Sequence, residues 1–130
     1  MGFFGTEASW FADLTLIVQT AGLLILLLGW KYAKTKNFLK HDKTAKTSIF
    51  LSSLSFIWMG FSLVSNLLSL ISTTGLLILS HVIIGLLALF MGLFLVLGEI
   101  NKTRMFMMVA FSSWAAAMFL GVILYYILFT

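Results

Sequence analysis

Few side chains in this chain can do chemistry, and they are sparse enough to weigh one by one. His81 stands inside the apolar run LILSHVIIGLLALF, residues 77–90. A histidine in such a run acts as a ligand, as a proton carrier, or as a packed polar group satisfied by a neighbouring helix. The other histidine, His41, lies beside Asp42 in a lysine-rich stretch, where a solvated pair at a membrane surface accounts for it. Asp13 and Glu99 fall near the ends of apolar runs rather than at their centres. An enzyme would show two matched acid/base groups in one cleft, and no such pair is legible, so the reading is non-catalytic. Cysteine is absent, which excludes disulfides, thiolate metal sites and thiol nucleophiles. Zinc takes three or four protein ligands, and the residues form no such cluster. A metal ligand, if there is one, is His81 before His41.

The elements that position these residues follow from composition. The 130 residues are 62% hydrophobic and only 9% charged, with a mean hydropathy of +1.13. Soluble domains carry about 25% charged residues, so the solvent here is expected to be lipid. A spanning helix needs roughly 20 apolar residues. Four stretches qualify, at about 12–30, 48–71, 76–98 and 105–129, and the sequence predicts one all-α domain, an integral membrane four-helix bundle. The turn Ser72-Thr73-Thr74-Gly75 divides the long central run. Proline is absent, so no proline kink is expected. The runs are continuous rather than alternating, which argues against a barrel.

Charge sets the orientation. The eight basic residues fall in two connections, at 31–47 and 99–104, and none lies in the 72–75 turn. The positive-inside rule then places both basic loops in the cytoplasm, with N-out and C-out termini. The net charge of +4 is explained by topology and calls for no nucleic acid. The start MGFFGT matches an N-myristoylation pattern, but an external terminus would not meet the transferase. The first span has no basic segment ahead of it and six lysines behind it, so it reads as a retained span rather than a signal peptide.

Residues three and four apart share a helix face. The second span lines up Ser48, Ser52, Ser55, Met59, Ser62, Asn66 and Ser69; the third, His81, Gly85, Ala88 and Gly92; the fourth, Ala110, Trp114, Ala117, Gly121 and Tyr125; the first, Thr15, Gln19, Gly22 and Gly29. Such small or polar faces mark helix–helix contact in membranes. On this reading Gly85, Ala88, Gly92, Ser55, Ser62, Trp114 and Gly121 form an interface, and the stripe of the second and third spans is where a larger membrane partner would pack. At about 1.5 Å of rise per residue, His81, Asn66, Gln19 and Tyr125 all fall roughly 8 Å below the outer ends of their spans. That polar layer either satisfies His81 or receives a haem, a metal or a quinone head group. His41 lies across a core of roughly 30 Å, so the two histidines cannot ligate one haem.

Over residues 14–129 the chain resembles the YozB-type family of small four-helix prokaryotic membrane proteins, a domain of unknown function (DUF420). The resemblance is carried by Gly29, Lys31 and Lys34 closing the first span, His41 with Ala45, His81 near the start of the third, and Trp114, Gly121-Val122 and Tyr125 in the fourth. The chain has Asn101 where the family has a further histidine, and Ser112-Ser113 in place of a proline before the tryptophan. Some members are linked to haem-copper terminal oxidases. The resemblance implies a prokaryotic cytoplasmic membrane location. With the missing catalytic groups, it leads to an expected role as a non-catalytic accessory or assembly subunit of a larger membrane metalloenzyme, of terminal oxidase or membrane monooxygenase type. The alternative is a membrane protein that binds haem, metal or quinone through His81, Asn66, Gln19 and Tyr125.

Overall fold

A computed structural model of the chain describes residues 2–8, 10–65, 73–99, 101 and 103–130, and leaves the side chains of 62–65, 73 and 74 undescribed. The described chain is all-α. Its four helices are α1 (Trp10–Lys34), α2 (Phe38–Ser65), α3 (Thr73–Leu97) and α4 (Arg104–Phe129). Among the described residues, three segments are long and apolar enough to cross a membrane: Trp10–Lys34, Gly75–Leu97 and Arg104–Phe129. The fourth predicted span, 48–71, runs into residues outside the description.

Two boundaries differ from the sequence reading. The stretch 31–47, expected as a basic loop, is almost wholly helical, with only Thr35–Asn37 between α1 and α2. Apolar content marks only the part of a helix that suits lipid, and a helix continues past it wherever its ends are capped. Here Asn37 starts α2, its Oδ1 accepting from the Lys40 amide at 3.4 Å, and Asp42 pairs with Lys46 one turn on at 2.8 Å. The turn 72–75 also shrinks, since Thr73, Thr74 and Gly75 already belong to α3.

The two described reversals are built alike. At the end of α3, Gly98 takes φ +78° and the Glu99 amide donates back to the Phe94 carbonyl at 3.0 Å. This is a Schellman closure, for which glycine is suited. At the end of α1 the same closure, Asn37 amide to Tyr32 carbonyl at 2.9 Å, forces Lys36 to φ +59°. A β-carbon makes that conformation costly. Thr103 then caps α4, its side-chain oxygen accepting from the Phe106 amide.

Helices α1 and α2 pack intimately as one hairpin and α3 and α4 as another, while the two hairpins touch each other much less. Within the first hairpin the packing is backbone-close. Gly22 and Gly29 are buried, fully buried Ser48 donates to the Gly22 carbonyl at 3.1 Å, and a β-carbon on Gly29 would fall 2.5 Å from Thr44 Oγ1. The hairpins meet in a small apolar core toward the lysine-rich end, where Ile49, Ala88 and Trp114 are buried among Leu23, Leu26 and Leu89. The outside is apolar: Leu24, Ile57, Phe61, Ile83 and Phe119 are each more than half exposed. Water tolerates such continuous apolar surface poorly. Aromatic and cationic side chains sit at the helix ends, with Lys34 Nζ 4.5 Å above the Trp30 ring and Trp10 stacked on Phe11 at 4.0 Å. This is the distribution expected at membrane interfaces.

Candidate functional site

The weak seam between the hairpins opens, above the apolar core, into a cavity of about 290 Å³. Thr15 and Gln19 reach it from α1, Ser52, Phe56 and Met59 from α2, His81 and Gly85 from α3, and Trp114, Gly121 and Tyr125 from α4. The structure thus brings His81, Gln19 and Tyr125 of the predicted polar layer to one cavity. Asn66, predicted as the fourth member, lies outside the described residues.

Each helix supplies its share for a local reason. The ring of His81 lies against Gly121, where a β-carbon would stand 3.0 Å from His81 Cε1. With no side chain in the way, His81 Nδ1 reaches the Ala117 carbonyl at 2.8 Å. A carbonyl only accepts, so Nδ1 carries the hydrogen, and in the neutral imidazole Nε2 is left with a lone pair. Among the described residues nothing pairs with Nε2, nor with the Gln19 amide. Ser52 is the sharpest case. It is 6% exposed and its Oγ is buried with no hydrogen-bond partner. A buried hydroxyl without a partner costs about 1–3 kcal/mol. The remaining lining is aromatic and aliphatic, notably Phe56, Trp58, Trp114 and Phe129.

The predicted interface residues point inward. Gly85 packs under Phe56, where a β-carbon would meet Cε2 at 2.9 Å; Gly92 faces Ile49; Ala88, Ser55 and Trp114 are buried. The side chain of Ser62 lies outside the description. The small-residue faces therefore close on the chain's own helices.

His41 is placed differently from the solvated pair expected with Asp42. Its Nδ1 bonds the Gly29 carbonyl at 2.9 Å, and Asp42 turns to Lys46. His41 is thus a brace between α2 and α1. Gly29 lies ten residues beyond Gln19, about 15 Å along the helix, so His41 is remote from the cavity. Among the described residues no group of three or more His, Cys, Asp or Glu side chains is arranged to hold a metal ion.

Asp13, which the sequence places near the end of an apolar run, is completely buried. Residues 2–8 fold over the Trp10 end of the bundle and cover it. Asp13 Oδ2 accepts from the Phe4 amide at 3.2 Å, Oδ1 accepts from the Tyr125 hydroxyl, and Thr6 Oγ1 bonds that same hydroxyl at 2.8 Å. A β-carbon on Gly2 would collide with Asp13 Oδ2. The Glu7 amide adds a bond to the Phe129 carbonyl at 3.3 Å, tying this segment to the end of α4. The signal was in the depths of the residues: Asp13 and Tyr125 each stand about one turn from the same end of antiparallel helices.

No protein-family model, no curated protein and no solved structure matches the chain.

Proposed function

We propose that this is an integral membrane protein, N-out and C-out in a prokaryotic cytoplasmic membrane, that binds one small lipid-soluble molecule between its two helical hairpins. The carrying observation is a cavity lined mostly by aromatic and aliphatic groups, into which Gln19 and His81 reach with no partner for the Gln19 amide or His81 Nε2 among the described residues. Ligand sites have this make-up: a mostly apolar concavity with a few convergent polar groups. The volume of about 290 Å³ stands at the small end of such sites, which run from about 300 Å³ upward. It suits a single ring with a short tail. The two histidines are too far apart to share a haem, and His81 has no second ligating side chain beside it among the described residues. This favours a small aromatic ring over a haem or a metal ion.

A role as accessory subunit of a larger membrane metalloenzyme draws its support from the family resemblance. Such a contact would have to use the outer Leu, Ile and Phe surface, because Gly85, Ala88 and Gly92 are covered from within.

The test is organic extraction of the protein purified from native membranes, with mass spectrometry of the extract. One low-mass aromatic compound is expected at near-stoichiometric amount. It should be absent from a Gly85→Leu variant that keeps its helical content by circular dichroism, in which the added side chain and the Phe56 ring it meets crowd the cavity. Extraction of bulk phospholipid alone from both proteins would overturn the proposal.

A further inference from the structure

The polar atoms of the cavity differ in what they can give and take, and this restricts the head group of a ligand. We infer that the cavity is built for a hydroxylated aromatic ring, a phenol or quinol, whose O–H donates to His81 Nε2. The inference rests on the reading of the cavity as a ligand site.

The argument starts from the Ala117 carbonyl. It fixes the hydrogen of His81 on Nδ1 at 2.8 Å, and Gly121 leaves room for the ring to lie in that position. Nε2 of the neutral ring is then an acceptor with no donor of its own. A bare carbonyl, ether or ester oxygen placed against it would meet lone pair with lone pair. A hydroxyl meets it with hydrogen. Ser52 lines the same cavity, but its Oγ is buried against Gly22, so the choice of head group rests on His81. Gln19 carries both a donor and an acceptor and discriminates little.

The walls select for the rest of the molecule. Phe56, Trp58, Trp114 and Phe129 offer ring faces and edges, against which a flat aromatic ligand packs with offset or edge-on geometry. A sugar or a phosphate ester would leave its remaining polar groups unpaired there, at a cost the cavity cannot return. A site that pairs a ligand hydroxyl with buried polar groups rejects the analogue lacking it far more strongly than an apolar pocket does.

The probes are para-hexylphenol, its methyl ether para-hexylanisole, and the ketone para-hexylacetophenone, titrated into the full chain in lipid nanodiscs with nitrogen-15-labelled histidine. The two histidines are told apart with a His41→Gln variant. The phenol is expected to shift the Nε2 resonance of His81 saturably, leaving that of His41 in place. The ether and the ketone are expected to bind at least tenfold more weakly, the loss of one hydrogen bond to a buried group. Equal binding of phenol, ether and ketone would overturn the assigned head group while leaving the cavity as a ligand site. Binding of none of the three would overturn both.

Discussion

Two polar regions of the bundle lie next to one another, share Tyr125, and are finished to different degrees. At the Trp10 end Asp13 is completely buried and both its carboxylate oxygens are taken, by the Phe4 amide and by the Tyr125 hydroxyl, which Thr6 also bonds. At the cavity the amide of Gln19 and Nε2 of His81 have no partners among the described residues, and beside it the hydroxyl of Ser52 is buried against Gly22 without one. Polar groups buried in a membrane protein are expensive in both places. The first region has recovered that cost within the chain, and the second has not. The contrast separates polar residues that hold a fold from polar residues held ready for something else, which residue type alone does not do.

Substitution can break this contrast. Asp13→Ala should have the largest effect on stability, about 2 kcal/mol, because it strands the Phe4 amide and leaves the Tyr125 hydroxyl with Thr6 alone. Thermal unfolding in a mild detergent reads it, and an unshifted midpoint would mean that the cluster is not a fastening. Tyr125→Phe should lower the midpoint less, since the Phe4 amide keeps its bond to Asp13. If the two variants fall equally, the cluster acts as one cooperative unit. Ser52→Ala should act with the opposite sign, raising stability by up to about 1 kcal/mol by removing a hydroxyl that nothing satisfies. A loss of stability there would assign Ser52 to the finished kind. Lys36→Gly, far from both regions, should raise stability by about 0.5 kcal/mol by relieving φ +59°. It should leave phenol binding untouched, and so gives the size of a purely backbone effect.

Much of this arrangement is legible in the sequence. Periodicity identifies the inward faces because a helix surrounded by lipid has only its small and polar stripe to offer its neighbours. Counting rise from the helix ends brings His81, Gln19 and Tyr125 to one level. The same counting, pursued to Asp13, would have found its pairing with Tyr125. A carboxylate near a span's end reads as solvated, and nothing in MGFFGT announces that residues 2–8 cover it. The extension of α2 through 38–47 was hidden because hydropathy reports on solvent and not on helicity. The partner of His41 is a backbone carbonyl, which leaves no trace in residue type. That Gly85, Ala88 and Gly92 would be covered by this chain rather than another lay beyond the pattern, since a small-residue stripe fits either.

The loose seam between the hairpins also bears on how the protein reaches its fold. The bond from Ser48 to Gly22 joins residues 26 apart, whereas that from Tyr125 to Asp13 joins residues 112 apart. Contacts close in sequence form sooner, because less chain entropy is lost in closing them. Each hairpin is thus expected to assemble as a separate folding unit, with docking of the two as the late step. Partial unfolding should retrace that order and part the molecule along the cavity first. Amide hydrogens at the α1–α4 and α2–α3 contacts should then exchange ahead of those inside either hairpin.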